Sequence, residues 1–118
     1  MKIVFFTSEE APFAKTGGLG EVCGTLPLAL AKEGIAVAVV MPRYKCVDIK
    51  KYELRKVNNE LFETKIGRTV SVYFLENKKW FGRDGLYGYD DNGYDDNLER
   101  FLFFSEKGLA SLKDLKLK

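Results

Sequence analysis

The chain has 118 residues, of which 46% are hydrophobic and 31% charged, with only three prolines and eleven glycines. That is the composition of one modest globular domain and excludes a disordered chain or a simple repeat. Nineteen Lys and Arg against seventeen Asp and Glu leave a formal charge of +2, without the strongly basic balance of a nucleic-acid surface. The absence of histidine excludes Ser-His-Asp and Cys-His catalysis within these residues and removes the commonest metal ligand.

In chain order, Lys2 to Thr7 is a Val, Ile and Phe-rich run without alternation, the pattern of a strand buried on both faces of a parallel sheet. It is too short for a signal-peptide core or a membrane span and ends in Glu9 and Glu10. After a loop from Ser8 to Gly18, the residues Leu19, Val22, Cys23, Leu26, Leu30 and Ala31 recur at helical spacing, which predicts a helix to about Glu33 with this face on the sheet. Pro27 inside it predicts a kink, because an interior proline costs about 3 kcal/mol. Gly34 then supplies a residue tolerant of positive φ, and Ile35 to Met41 reads as a second buried strand stopped by Pro42. Strand, helix and strand predict a right-handed βαβ unit in a doubly wound α/β sheet, with a ligand crevice at the carboxyl ends of the strands.

From Tyr52 the period changes. Tyr52–Val57, Leu61–Ile66 and Thr69–Leu75 read as three strands, the last two forming a hairpin across Gly67-Arg68. Residues 77 to 96 read as a long polar loop, a kind of segment that is more often functional than idle. A last helix is expected from Asn97 to about Leu112, with Leu98, Phe101, Leu102, Ser105, Leu109 and Leu112 on one face. Its end, with Lys107, Lys113, Lys116 and Lys118, suits the helix dipole.

The richest local signal is Lys15-Thr16-Gly17-Gly18-Leu19-Gly20-Glu21-Val22 between the first strand and the first helix. Glycines allow close approach of a ligand, a helix N-terminus offers N–H groups to a phosphate, and Lys15 adds a full charge. A tight turn with no ligand fits the spacing equally well. The acids around Gly93 place Asp90, Asn92 and Glu99 at EF-hand ligand spacing, but Gly88 stands where the first Asp is needed. Asp95 to Asn97 read more simply as caps of the last helix. Trp80, Tyr87, Tyr89 and Tyr94 offer an aromatic platform for a sugar ring, or cover the core beneath the loop. Cys23 reads as a small core residue, and Phe101, Phe103 and Phe104 as core or interface. The two cysteines lie outside any C-x-x-C spacing, as reduced thiols of a cytoplasmic protein would.

Together these stretches resemble the beginning of the bacterial glycogen synthase and plant starch synthase family. The resemblance rests on Lys2–Pro12, on Lys15–Val22, on Leu26–Gly34, and on Leu86-Tyr87-Gly88 with Tyr94, Asp96, Asn97, Arg100 and Phe101. It implies an incomplete Rossmann-like α/β fold: a single truncated domain over residues 1–118, the first part of the N-terminal domain of a two-domain glycosyltransferase. It also places Pro27 in a kinked helix typical of the family. The implied reaction is transfer of glucose from ADP-glucose to an α-1,4-glucan with retention, without a metal or other cofactor. By the same resemblance, Lys15 contacts donor phosphate, Gly17 and Gly18 shape the loop beside the transferred glucose, and Tyr87 lines the cleft near the sugar. Asp96, Asn97 and Arg100 are mainly structural. Glu21 stands where the family commonly has Asp.

No complete catalytic set lies in this chain, since the family's catalytic-cleft histidine and the donor-holding residues fall elsewhere, so the isolated chain is expected to be inactive. A stand-alone nucleotide-sugar or glucan binding module, or a structural remnant of a split gene, are the alternatives. No nucleic acid or membrane partner is expected. In the 3-2-1-4-5 strand order the first strand lacks its neighbour, which predicts an open edge and a homo-oligomer through that edge or through the last helix.

Overall fold

A computed structural model describes residues 1–115; Lys116 and Lys118 of the expected cationic helix end lie outside the described residues. The predicted βαβ unit is present: β1 (Lys2–Phe6), α1 (Gly18–Lys32) and β2 (Ala36–Pro42), with β1 parallel to β2 from Lys2 opposite Ala36 to Phe6 opposite Val40. Gly34 takes φ +83 just past the end of α1, where a left-handed residue ends a helix at no steric cost. Further on come β3 (Arg55–Asn58), β4 (Leu61–Ile66) and β5 (Val70–Leu75). The sheet order is β1-β2-β5-β4-β3, with β2 and β5 parallel and β3, β4 and β5 antiparallel. The expected β4–β5 hairpin is present, and β1 stands at a sheet edge.

The core lies on β2 and β5. Val37 to Met41 and Val70, Val72, Tyr73, Phe74 and Leu75 are all buried, as continuous apolar strands covered on both faces must be. Phe13 from the loop after β1 meets Phe74 edge-on at 5.0 Å and Tyr52 at 4.9 Å.

Four expectations require correction. The first concerns the face of α1, which runs without a break through Pro27 and buries Gly20, Cys23 and Pro27, while Leu19, Val22 and Leu26 are exposed. Small residues on the inner side let α1 lie close to the loop after β1 and displace the larger ones outward. Second, Tyr52 belongs to a turn and not to β3. Asp48 accepts the N–H groups of Lys50 and Lys51 at 2.8 and 2.9 Å, and Leu54 N–H bonds to Ile49 O, so the chain closes on itself before it can extend.

The stretch from 77 to 96, third, is not structureless. It holds a short α2 (Lys78–Phe81), whose N-cap Asn77 accepts Trp80 N–H at 3.1 Å, and a small hairpin of β6 (Gly88–Tyr89) and β7 (Asn92–Gly93). Asp90 and Asp91 both have positive φ, 52° and 65°, which is the two-residue loop whose twist matches a hairpin. Finally, α3 (Asn97–Ala110) gives way to a 3-10 turn at Ser111–Asp114, and the Asp96 side chain accepts none of its N–H groups. Asp96 instead takes both branches of Arg83 at 2.7 and 2.8 Å.

Candidate functional site

The loop leaving β1 crosses the carboxyl ends of the parallel strands, the place where α/β sheets bind ligands. Its organising group is a residue that the sequence reading did not single out. Glu9, only 3% exposed, accepts the backbone N–H of Thr16, Gly17 and Gly20 on one oxygen at 3.0 to 3.1 Å. On the other oxygen it accepts the hydroxyls of Thr16 at 2.8 Å and Tyr87 at 2.6 Å. Burial opposes the charge, but the donors from Tyr87, Thr16 and Gly17 outweigh it and hold the carboxyl down at about 2. A resident carboxylate thus fills the positive end of α1, and it does so with the amides that the sequence pattern offers to a phosphate.

Tyr87 is fixed from two directions. Its carbonyl accepts Asn97 Nδ2 at 2.8 Å, and its hydroxyl donates to Glu9 while lying 2.6 Å from Ser8 Oγ. A carboxylate can only accept, so the Ser8 hydroxyl must be the donor to Tyr87. Burial and the bond to Glu9 push the phenol up to about 12, which keeps it protonated as a donor. Asn97 is itself held by Arg100, whose guanidinium is fully buried. Arg100 bonds Trp80 O at 2.6 Å, Leu86 O at 3.0 Å and Asn97 Oδ1 at 2.7 Å. It also lies 5.3, 4.9 and 5.3 Å from the ring centres of Phe81, Tyr94 and Phe101.

Between the glycine loop and the hairpin lies an open cavity of about 340 Å³, bounded by Thr16, Leu86, Tyr87, Asp91 and three glycines. The hairpin that forms one side of it requires Gly85, at φ +74, and Gly88, since a Cβ on either would lie 2.0 Å from a backbone oxygen of the same hairpin.

Of the sequence-predicted site residues, Lys15, Gly17, Gly18 and Tyr87 come together around Glu9. Lys15 pairs with Glu21, both side chains being exposed, and a Cβ on Gly17 or Gly18 would meet nothing within 4 Å, so this surface is open to a ligand. The aromatic platform does not assemble. Trp80 packs on Phe103 at 6.2 Å, and Tyr94 lies against the guanidiniums of Arg83 and Arg100. In sequence Glu9 is the carboxylate of Ser8-Glu9-x-x-Pro12 within the Lys2–Pro12 stretch that carries the resemblance, without a role assigned to it; its bond to Tyr87, 78 residues away, has no local pattern.

Glu10, the next residue, is fully buried with neither carboxyl oxygen hydrogen-bonded. Burial alone pushes it up to about 8, so it is largely neutral at pH 7.

The starch synthase catalytic domain matches residues 2–118 of this chain. Glycogen synthase of Syntrophotalea carbinolica is 42% identical over 131 residues, covering all of this chain and 27% of the relative. Glycogen synthase 1 of Geobacter metallireducens is 43% identical over 124 residues, covering 92% and 25%. The chain therefore spans about a quarter of the length of the curated relatives it matches. Among solved structures, the catalytic domain of Starch Synthase IV from Arabidopsis thaliana, bound to ADP and acarbose, superposes with a TM-score of 0.78 at 27% identity, over 93% of this chain and 25% of that one.

Proposed function

This chain belongs to the starch synthase catalytic domain family, and we propose that it forms one wall of the cleft in which glucose passes from ADP-glucose to an α-1,4-glucan with retention. The observation that carries this reading is that one carboxylate, Glu9, gathers the glycine loop and Tyr87 at the carboxyl end of β1. In that wall Lys15 contacts the donor phosphate, and Glu21 holds Lys15 until the donor replaces it. Gly17 and Gly18 leave room beside the transferred glucose. Tyr87, its hydroxyl committed to Glu9, offers its ring to the sugar. A donor diphosphate engages Lys15 and the outer surface of the loop, because Glu9 already holds the inner amides. Both described cysteines are free thiols, as a cytoplasmic setting allows.

Transfer develops negative charge on the departing diphosphate and positive charge on the sugar, and catalysis requires groups preorganised for both. This wall supplies one ammonium and a few backbone dipoles. The second wall belongs to a further domain, and the 118 residues alone elongate no glucan; elongation by the purified chain would overturn that statement.

The direct test replaces the matching quarter of the Geobacter metallireducens glycogen synthase with residues 1–118. The chimera is expected to transfer glucose from ADP-glucose to glycogen, and Lys15→Ala in it to lower kcat/KM by about 10²-fold. A folded chimera without activity, or one indifferent to Lys15→Ala, contradicts the reading.

A further inference from the structure

One peptide group in the loop after β1 is fastened at both of its polar ends. The carbonyl of Ser8 accepts the Tyr44 hydroxyl at 2.6 Å, and the N–H of Glu9, the other end of the same peptide, donates to Thr7 Oγ1 at 3.3 Å. The side chains on the two sides of this peptide converge on one atom, the phenol oxygen of Tyr87. Ser8 Oγ donates to it at 2.6 Å, and the phenol donates at 2.6 Å to Glu9.

Tyr44 follows β2 and is fully buried. Its segment is held on both sides, by Arg43 N–H on Leu75 O at 2.9 Å and by Lys45 N–H on Phe81 O at 3.2 Å. The Tyr44 ring stands edge-on to Phe81 at 5.8 Å. The hydroxyl that grips Ser8 is therefore carried by the ends of β2, β5 and α2.

The main chain at Tyr87 is held without any of these groups, since its carbonyl accepts Asn97 Nδ2 at 2.8 Å and Tyr94 N–H at 2.9 Å. The bond from Ser8 acts at the far end of the ring. A single bond to Glu9 fixes the phenol oxygen near the carboxylate and leaves the ring free to swing about it. A second bond, from Ser8, removes that freedom, as preorganisation of a binding wall requires. Donation from Ser8 also polarises the phenol and strengthens its own bond to Glu9.

We infer that Ser8 is a positioning residue for glucosyl transfer: held by Tyr44 through its carbonyl, it aims the Tyr87 ring at the transferred sugar through its hydroxyl. The inference rests on the reading of Tyr87 as part of the donor wall and adds the two residues that set the direction of its ring. Neither Ser8 nor Tyr44 touches the sugar; both act through Tyr87. A ring that meets the sugar equally in the ground and transition states contributes to KM and not to kcat.

The test uses the active chimera with the Geobacter metallireducens enzyme. Ser8→Ala is expected to raise KM for ADP-glucose about 5-fold and to leave kcat within about 2-fold. Tyr44→Phe, which frees the Ser8 carbonyl, acts in the same direction by about 2-fold and serves where Ser8→Ala does not fold. In a Tyr87→Phe background the phenol oxygen is gone, and neither substitution should raise KM further. A residue that only supports the fold lowers the amount of active enzyme and so the apparent kcat, leaves KM alone, and acts equally in both backgrounds. The positioning role alone is overturned by a chimera that responds to Lys15→Ala yet keeps its KM in Ser8→Ala or, where that variant does not fold, in Tyr44→Phe. An equal rise of KM with and without the Tyr87 hydroxyl overturns it too. A chimera that transfers no glucose or ignores Lys15→Ala overturns the donor wall and this inference together.

Discussion

Glu9 and Glu10 are neighbours in the chain and sit in opposite electrostatic settings. Glu9 receives three backbone N–H groups and two hydroxyls; Glu10 receives no hydrogen bond on its carboxyl. Both are almost wholly removed from water. Burial alone therefore does not decide the charge of a carboxyl; the count of donors does. On the Glu9 side the loop is fastened to α1 and to the hairpin, and the proposed donor surface is built on that fastening. On the Glu10 side a polar group is buried without a partner, at the expense of stability.

The most severe way to break the contrast is Glu9→Ala. It strands the N–H groups of Thr16, Gly17 and Gly20 and the Tyr87 hydroxyl, and should cost about 4 kcal/mol, read as a shift of the urea midpoint. A loss below about 1 kcal/mol would mean that water replaces the carboxylate without difficulty.

Glu10→Gln should act in the other direction, raising stability at pH 8 by about 2 kcal/mol. The pH profile separates the two acids. Glu9 is lowered from 4.5 to about 2 when folded, so its contribution is full above pH 4.5 and is lost as pH falls toward 2. Glu10 is raised from 4.5 to about 8, so the folded state binds its proton more tightly. Stability then declines as pH rises from 4.5 to 8 and levels off above that. Glu10→Gln should flatten the upper limb alone, and chemical denaturation across pH checks it.

Tyr87→Phe sharpens the comparison, since it removes one of the five donors to Glu9 and leaves the ring in place. The expected loss is about 1 kcal/mol, with faster exchange of the Gly17 and Gly20 amides. The smallest effect belongs to Lys15→Ala. Its pair with Glu21 is exposed, so thermal unfolding should move stability by less than about 0.5 kcal/mol, which makes it a clean probe of donor binding in the chimera.

Much of the architecture was legible. Continuous apolar runs at β1 and β2, helical spacing between them, and Gly34 marked the βαβ unit, and the turn at Gly67-Arg68 marked the β4–β5 hairpin. The glycine loop, Lys15 and Tyr87 were legible as a group, through the resemblance of ordered motifs. What escaped depends on long-range contacts. Helical period cannot say that the inner side of α1 is taken by Gly20, Cys23 and Pro27 while Leu19, Val22 and Leu26 face outward, because that is set by the close approach of the loop after β1. Asp96 resembles a helix cap in sequence, yet Arg83, brought near by folding, offers a two-pronged charged partner that a single N–H group does not match. Asn77, in a stretch that read as loop, escaped as well: its side chain accepts Trp80 N–H and starts α2.

The central claim is that the loop after β1 is fastened by an ionised Glu9 while Glu10 beside it stays neutral. Titrating the two side-chain carboxyl carbons by NMR tests it most directly. Midpoints near 2 for Glu9 and near 8 for Glu10 are expected; two ordinary midpoints near 4.5 would contradict the account, and with it the anchoring of the proposed donor wall.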